Sequence, residues 1–150
     1  MNVTDAEEFA AYNKGELYYT VSEGGWILKK DLQPPEDIYV VMGVDIKCKV
    51  GTQIIFNDEE QENLVKEISQ YLSANKLHID YIDVTDKLSI YVGIEDRFTV
   101  ELGTSNYTKE KINHLAGMVE KIPEENGGKI NLSMWTTDNT QGTFKVENVE

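Results

Sequence analysis

Residues 88–123 read LSIYVGIEDRFTVELGTSNYTKEKINHLAGMVEKIP, and the period of the apolar positions changes once along them. Leu88, Ile90 and Val92, then Phe98, Val100 and Leu102, alternate with polar neighbours, which is the spacing of strands with one buried face. Gly93 to Asp96 between them is turn chemistry, so the two runs read as consecutive strands of one sheet. From Thr108, a capping residue, the apolar positions Ile112, Leu115, Val119 and Ile122 recur at three- and four-residue steps, and Pro123 ends the run. Two strands followed by an amphipathic helix decide the class: a sheet with a helix laid on it.

Working outward, His78 to Val84 is a further strand-like stretch, joined to the quoted segment by the Asp86-Lys87 turn. Before it lies a second helix. Asn57 or Asp58 can cap it, Glu60 completes a capping box with Asn57, and Leu64, Val65, Ile68, Tyr71 and Leu72 share one face. On the other side, Ile130, Leu132 and Met134, then Phe144 and Val146, keep a period of two, with the polar stretch Thr136 to Gln141 between them. Near the start, Leu17 to Val21 and Trp26 to Leu28 flank Ser22-Glu23-Gly24-Gly25 and predict a hairpin. Pro34-Pro35 breaks the chain, Ile38 to Met42 is a short apolar run ended by Gly43, and Val44 to Val50 reads as a strand or an ordered loop. Residues 4–16 carry no pattern. The organisation predicted is a lead-in over 1–15 and one domain over 16–150. Its class is α+β: a mostly antiparallel or mixed sheet with two helices packed on one face.

At 150 residues, a domain of this size buries roughly two-thirds of its unfolded surface and needs no metal or disulfide to fold. Fourteen basic against 27 acidic side chains give a net charge of −13, which argues against nucleic acid or an anionic lipid surface as partner. The single cysteine, Cys48, excludes an intrachain disulfide and a cysteine-based zinc cluster, and its parity with Val44, Ile46 and Val50 reads as a small buried hydrophobe. No run approaches the ~20 apolar residues of a membrane span, so an anchor or signal would lie outside this stretch.

Chemistry-bearing motifs are sparse. There is no nucleophile elbow, phosphate loop or dinucleotide fingerprint, and neither cofactor nor small-molecule substrate is implied. His78 and His114 fall on different elements, and catalysis by either needs an orienting carboxylate that only the fold can supply. Asp80 and Asp83 point to opposite faces of a strand while Asp86 sits in a turn, so the three read as solvated strand-end charges and no metal site is expected. Glu59, Glu60 and Glu62 suit the positive end of the first helix. Trp26 reads as packing. Trp135 breaks the parity of Met134 and reads as an outward aromatic on a contact surface. A binding role, not an enzyme, follows.

Four segments in this order and spacing resemble the extracytoplasmic β domain of the bacterial FtsQ/DivIB cell-division family: Ile38-Tyr39-Val40-Val41-Met42-Gly43; Ile82-Asp83-Val84-Thr85 leading into the Leu88–Val92 strand; Arg97-Phe98-Thr99-Val100-Glu101-Leu102-Gly103 before the helix opening at Lys111-Ile112; and Gly128-Lys129-Ile130-Asn131-Leu132. The likeness covers about residues 16–147 and departs from the family at Tyr39, where a proline is usual, and at Met42, often a threonine. It implies a non-catalytic scaffold of the divisome, anchored by one N-terminal membrane helix and standing at the septum on the outer side of the membrane. A POTRA domain would precede it, ending within Val3 to Ala11. Its implied partners are bitopic proteins of the FtsL and FtsB/DivIC type, bound by strand addition at the C-terminal sheet edge. On this chain that edge is Gly142, Thr143, Phe144, Lys145 and Val146, with Trp135 as a neighbouring aromatic anchor; the other role open to Phe144 and Val146 is closing the core. The alternative from another class is an acidic inhibitor or adaptor that binds a basic partner and has no link to a membrane.

Overall fold

The computed structural model of the chain describes residues 8–123 and 126–133, and the main chain of 143–146. Among these residues eleven strands and two helices follow in the order β1 (Glu8–Lys14), β2 (Leu17–Ser22), β3 (Ile27–Asp31), β4 (Tyr39–Met42), β5 (Ile46–Lys47), β6 (Ile55–Phe56), α1 (Glu59–Ala74), β7 (Ile79–Asp83), β8 (Ile90–Ile94), β9 (Phe98–Gly103), α2 (Thr108–Lys121), β10 (Gly128–Asn131) and β11 (Thr143–Val146). Nine form one mixed sheet in the order β11-β10-β9-β8-β7-β4-β1-β2-β3, and β5 and β6 pair separately. Hairpins make β1-β2-β3 and β7-β8-β9 antiparallel, while β4–α1–β7 and β9–α2–β10 are crossovers between parallel neighbours. The class is α+β, as the alternation predicts.

The core lies between the sheet and the helices. Ile68 and Leu72 of α1 and Ile112 and Leu115 of α2 are fully buried in one cluster with the inward residues of the sheet. The two helices also meet each other, Asn75 Nδ2 donating to Asn113 Oδ1 at 3.1 Å. The register lines the inward residues Lys30, Tyr19, Tyr12, Val41, Ile82, Val92, Val100 and Ile130 into a row crossing the sheet, and Phe144 holds the next register position on the ninth strand. The opposite face carries a second row, Lys29, Thr20, Ala11, Val40, Tyr81, Gly93, Thr99 and Lys129, with Lys145 at the next register position.

Several local expectations need correction. The sheet begins inside the stretch read as a lead-in, since β1 runs parallel to β4 and antiparallel to β2. Ala10, Ala11 and Tyr12 are buried in succession, so an inner strand covered on both faces leaves no alternation to read. Leu88 stands 74% exposed because it belongs to a turn, its N–H donating to Asp86 Oδ1 at 2.9 Å, and the strand starts only at Ile90. Trp26 is 43% exposed, not packed. Of the Val44–Val50 stretch only Ile46-Lys47 is paired, and Val50 is exposed.

Both helix starts also differ in detail. Asp58 caps α1, accepting from the N–H of Glu60 at 3.0 Å and of Gln61 at 3.4 Å. Gln61 occupies the reciprocal position of a capping box but faces elsewhere: its Oε1 accepts from Asp45 N–H at 2.9 Å and its Nε2 donates to Gly43 O at 3.0 Å. Gly43 has φ +82°, and a Cβ there would run into the backbone of Thr85, so only glycine fits this exit from β4. At α2, Thr108 is the first helical residue and the cap position belongs to Tyr107, in the left-handed region at φ 60°. Lys111 is 1% exposed, its ammonium donating to Leu102 O at 2.6 Å and Thr104 O at 3.0 Å; burial lowers its pKa.

Candidate functional site

Among the described residues, the C-terminal strand ends the sheet. β11 pairs antiparallel with β10 in the register Gly128↔Val146, Lys129↔Lys145, Ile130↔Phe144 and Asn131↔Thr143, and among the described residues no strand lies beyond it. An outermost strand keeps one line of N–H and C=O groups free of the ladder, which an extended segment can complete. β10 is held firmly beneath it. Gly128 N–H donates to Arg97 O at 2.9 Å and Leu132 N–H to Glu101 O at 2.8 Å, while the Arg97 guanidinium donates to Pro123 O at 2.6 Å and Asn126 O at 2.9 Å. Gly103, with φ +73°, lets β9 pass against Ser133, where a Cβ would sit 2.8 Å from the Ser133 Cβ.

The two rows give this edge its chemistry. On the helix side, Val92, Val100 and Ile130 are each 0% exposed, and Phe144 holds the next register position. On the other side, Lys129 stands 3.8 Å from Glu101 and 5.8 Å from the centre of the Tyr91 ring, and the Tyr91 hydroxyl donates to Glu101 at 3.0 Å. Lys145 follows Lys129 in register. Of the residues expected at the contact, Thr143, Phe144, Lys145 and Val146 are therefore brought to the edge as one strand, whereas Trp135 and Gly142 lie outside the described residues.

The three aspartates do not converge. Asp83 accepts from the Thr85 main chain and hydroxyl, and Asp86 from Leu88 N–H. Asp80, however, meets two groups that local parity does not reveal. His78 and Asp80 are two residues apart and share a face, and the β8–β9 turn brings Asp96 against them. His78 Nε2 lies 3.3 Å from Asp80 Oδ1 and 4.0 Å from Asp96 Oδ2, and Asp96 N–H donates to Asp80 Oδ2 at 2.8 Å. Burial, and next the facing Asp96 carboxyl, push the Asp80 carboxyl up to about 6. The carboxylates that His78 lacked in sequence are thus supplied by the fold. The His78–Asp80 spacing was readable; the turn geometry that adds Asp96 was not. Gly93 to Asp96 marks a turn in the sequence, but the left-handed φ of 57° at both Glu95 and Asp96, taken without a glycine there, is not readable from it.

Elsewhere the acidic start of α1 is as charge placement suggests, with Lys87 bridging Asp58 at 2.8 Å and Glu60 at 3.1 Å and lowering the Asp58 pKa. Cys48 is half-buried, and burial raises its thiol pKa. Neither the protein-family models nor the curated proteins compared with this chain match it.

Proposed function

We propose that this domain is a non-catalytic scaffold of the bacterial division machinery, in the manner of the FtsQ/DivIB β domain, and that it docks an extended segment of a bitopic partner as an added strand on β11. The single observation that carries the reading is the composition of that edge. The strand Thr143-Phe144-Lys145-Val146 is outermost among the described residues, has no proline, and sets Phe144 at the register position that follows Val100 and Ile130. Main-chain hydrogen bonds to β11 supply affinity, and alternate side chains of the partner supply selectivity. The partner side chain beside Phe144 would extend the apolar row, and the one beside Lys145 would meet a cationic row. The four sequence segments that resemble the family support the same assignment, and with it a place at the septum on the outer side of the membrane.

The test is an NMR titration of the domain with the extracytoplasmic segment of an FtsB/DivIC-type partner. Saturable shifts on Thr143 to Val146, lost in a folded Phe144→Asp variant, are expected. Shifts confined to the helices, or no shifts at saturating partner, would overturn the strand-addition reading.

A further inference from the structure

Away from the β11 edge, the start of β7 and the β8–β9 turn together build a polar cleft with no place in strand addition. Pro34, Pro35, Glu36 and Asp37 form one wall of a cavity of about 220 Å³, and His78, Asp80 and Asp96 form the other. The main chain at His78 is fastened on both sides by Glu95, whose N–H donates to His78 O at 2.9 Å and whose carboxylate accepts from His78 N–H at 2.9 Å. The imidazole is left facing the carboxylates.

We propose that His78 Nε2, Asp80 Oδ1 and Asp96 Oδ2 form a binding site for a divalent cation of the zinc type. The first argument is an orphaned atom. Asp80 Oδ1 is buried and accepts no hydrogen bond among the described residues, although His78 Nε2 is 3.3 Å away. At 3.3 Å the His78–Asp80 contact is longer than the roughly 2.7–2.9 Å of a charge-assisted hydrogen bond, and a cation held between the two atoms would satisfy both.

The second argument is spacing. Nitrogen and oxygen ligands at about 2.0–2.1 Å from a tetrahedral centre stand about 3.3–3.4 Å apart, which the His78–Asp80 pair already matches. The His78–Asp96 separation of 4.0 Å has to close by about 0.6–0.7 Å, which rotation of Asp96, a side chain 83% exposed, can supply. All three ligand atoms lie within 4.8 Å of one another.

The third argument is orientation and charge. Asp80 Oδ2 is held by the Asp96 N–H at 2.8 Å, the outer contact that fixes a ligating carboxylate and aims its other oxygen. Among the described residues neither Asp80 nor Asp96 pairs with a lysine or arginine, so His78 is the one basic group facing two carboxylates. Imidazole with two carboxylates suits zinc and its neighbours; calcium and magnesium prefer all-oxygen sites with six or more ligands. Three protein ligands leave a fourth position for water, or for Glu36 or Asp37 from the facing wall.

Calorimetric titration of the untagged, chelator-treated chain with zinc chloride at pH 7 tests the site. One equivalent should bind with a micromolar Kd. His78→Ala and Asp80→Asn should each weaken binding at least about tenfold, and His114→Ala should leave it unchanged. Asp80→Asn keeps the side-chain size and removes a repelling charge, so it preserves the fold. In the unmutated protein the zinc-induced NMR shifts should centre on His78, Asp80 and Asp96. No binding at millimolar zinc, binding that survives the His78→Ala/Asp80→Asn double change, shifts centred elsewhere, or equal affinity for magnesium would each overturn the proposal.

Discussion

The two borders of the sheet are built from the same rows and finish them differently. At β3 the inward row ends in Lys30 and the outward row in Lys29, so both faces of that border carry a charge, and Pro34-Pro35 follow shortly after. At β11 the register position after Lys129 is again a lysine, Lys145, but the one after Ile130 is Phe144. Charge on a border strand discourages another chain from pairing with it, because the pairing would bury the charge. By register, one border therefore ends in charge in both rows and the other in one. The difference teaches that an open edge is recognised by how each row terminates, more than by the strand's overall polarity.

Making the two borders alike is the most severe way to break that comparison. Phe144→Lys gives β11 the termination of β3 and should weaken partner addition about 100-fold, or about 3 kcal/mol, in a calorimetric titration. The next effect concerns what braces the β11 side. Lys111 ties the first turn of α2 to the end of β9, and Lys111→Ala would leave the Leu102 and Thr104 carbonyls without their donor. A loss of about 2–3 kcal/mol is expected, read as a thermal midpoint lower by roughly 6–12 °C. Lys30→Ala, remote from that bracing, should leave the midpoint within about 2 °C.

A smaller effect comes from the middle of the sheet, between the borders. Asp80, faced by His78, Asp96 and, across the cavity, Glu36 and Asp37, titrates near 6 when folded against 3.8 when unfolded. The folded state thus holds the proton more tightly. The stability this gives is fully present below pH 3.8 and is lost as pH rises through about 6. With solvent screening allowed for, Asp80→Asn should raise stability at pH 7 by about 1 kcal/mol in the presence of a chelator and flatten the profile between pH 4 and 7. Partner affinity should not change, since neither border is touched. The mildest change sharpens the contrast from the guarded side. Lys30→Val with Lys29→Thr should leave stability within about 0.5 kcal/mol and introduce weak, concentration-dependent self-association, visible by analytical ultracentrifugation.

What the sequence disclosed followed the strength of its periods. The alternation at Ile90–Val92 and Phe98–Leu102 and the helical spacing from Ile112 to Ile122 correspond to elements found in place, because each buries one face only. β1 was illegible for the opposite reason: Ala10 and Ala11 are buried on both sides and small, so their apolarity has no direction. Gln61 and Lys111 looked like ordinary polar helix residues, and nothing local shows that their polar ends satisfy backbone groups on another element. The edge residues Thr143 to Val146 were readable as a strand, but which strand would be outermost depends on the parallel placement of β10 on β9. The turn at Gly93 to Asp96 was readable, but the left-handed Glu95 and Asp96 that carry it back onto Asp80 were not.

The inner position of β1 has a consequence for cooperativity. The meander β1-β2-β3 joins the parent sheet through one parallel seam, Ala10 to Tyr12 against Tyr39 to Val41, reinforced by main-chain bonds from Ile27 to Thr52 and from Ile54 to Gly25. Those contacts bridge distant parts of the chain, whereas each hairpin within the meander is local. Amide hydrogens of β2 and β3 should exchange by opening that seam while β7, β8 and β9 remain protected, so the third of the sheet nearest the guarded border can detach and return without disturbing the third that carries β11.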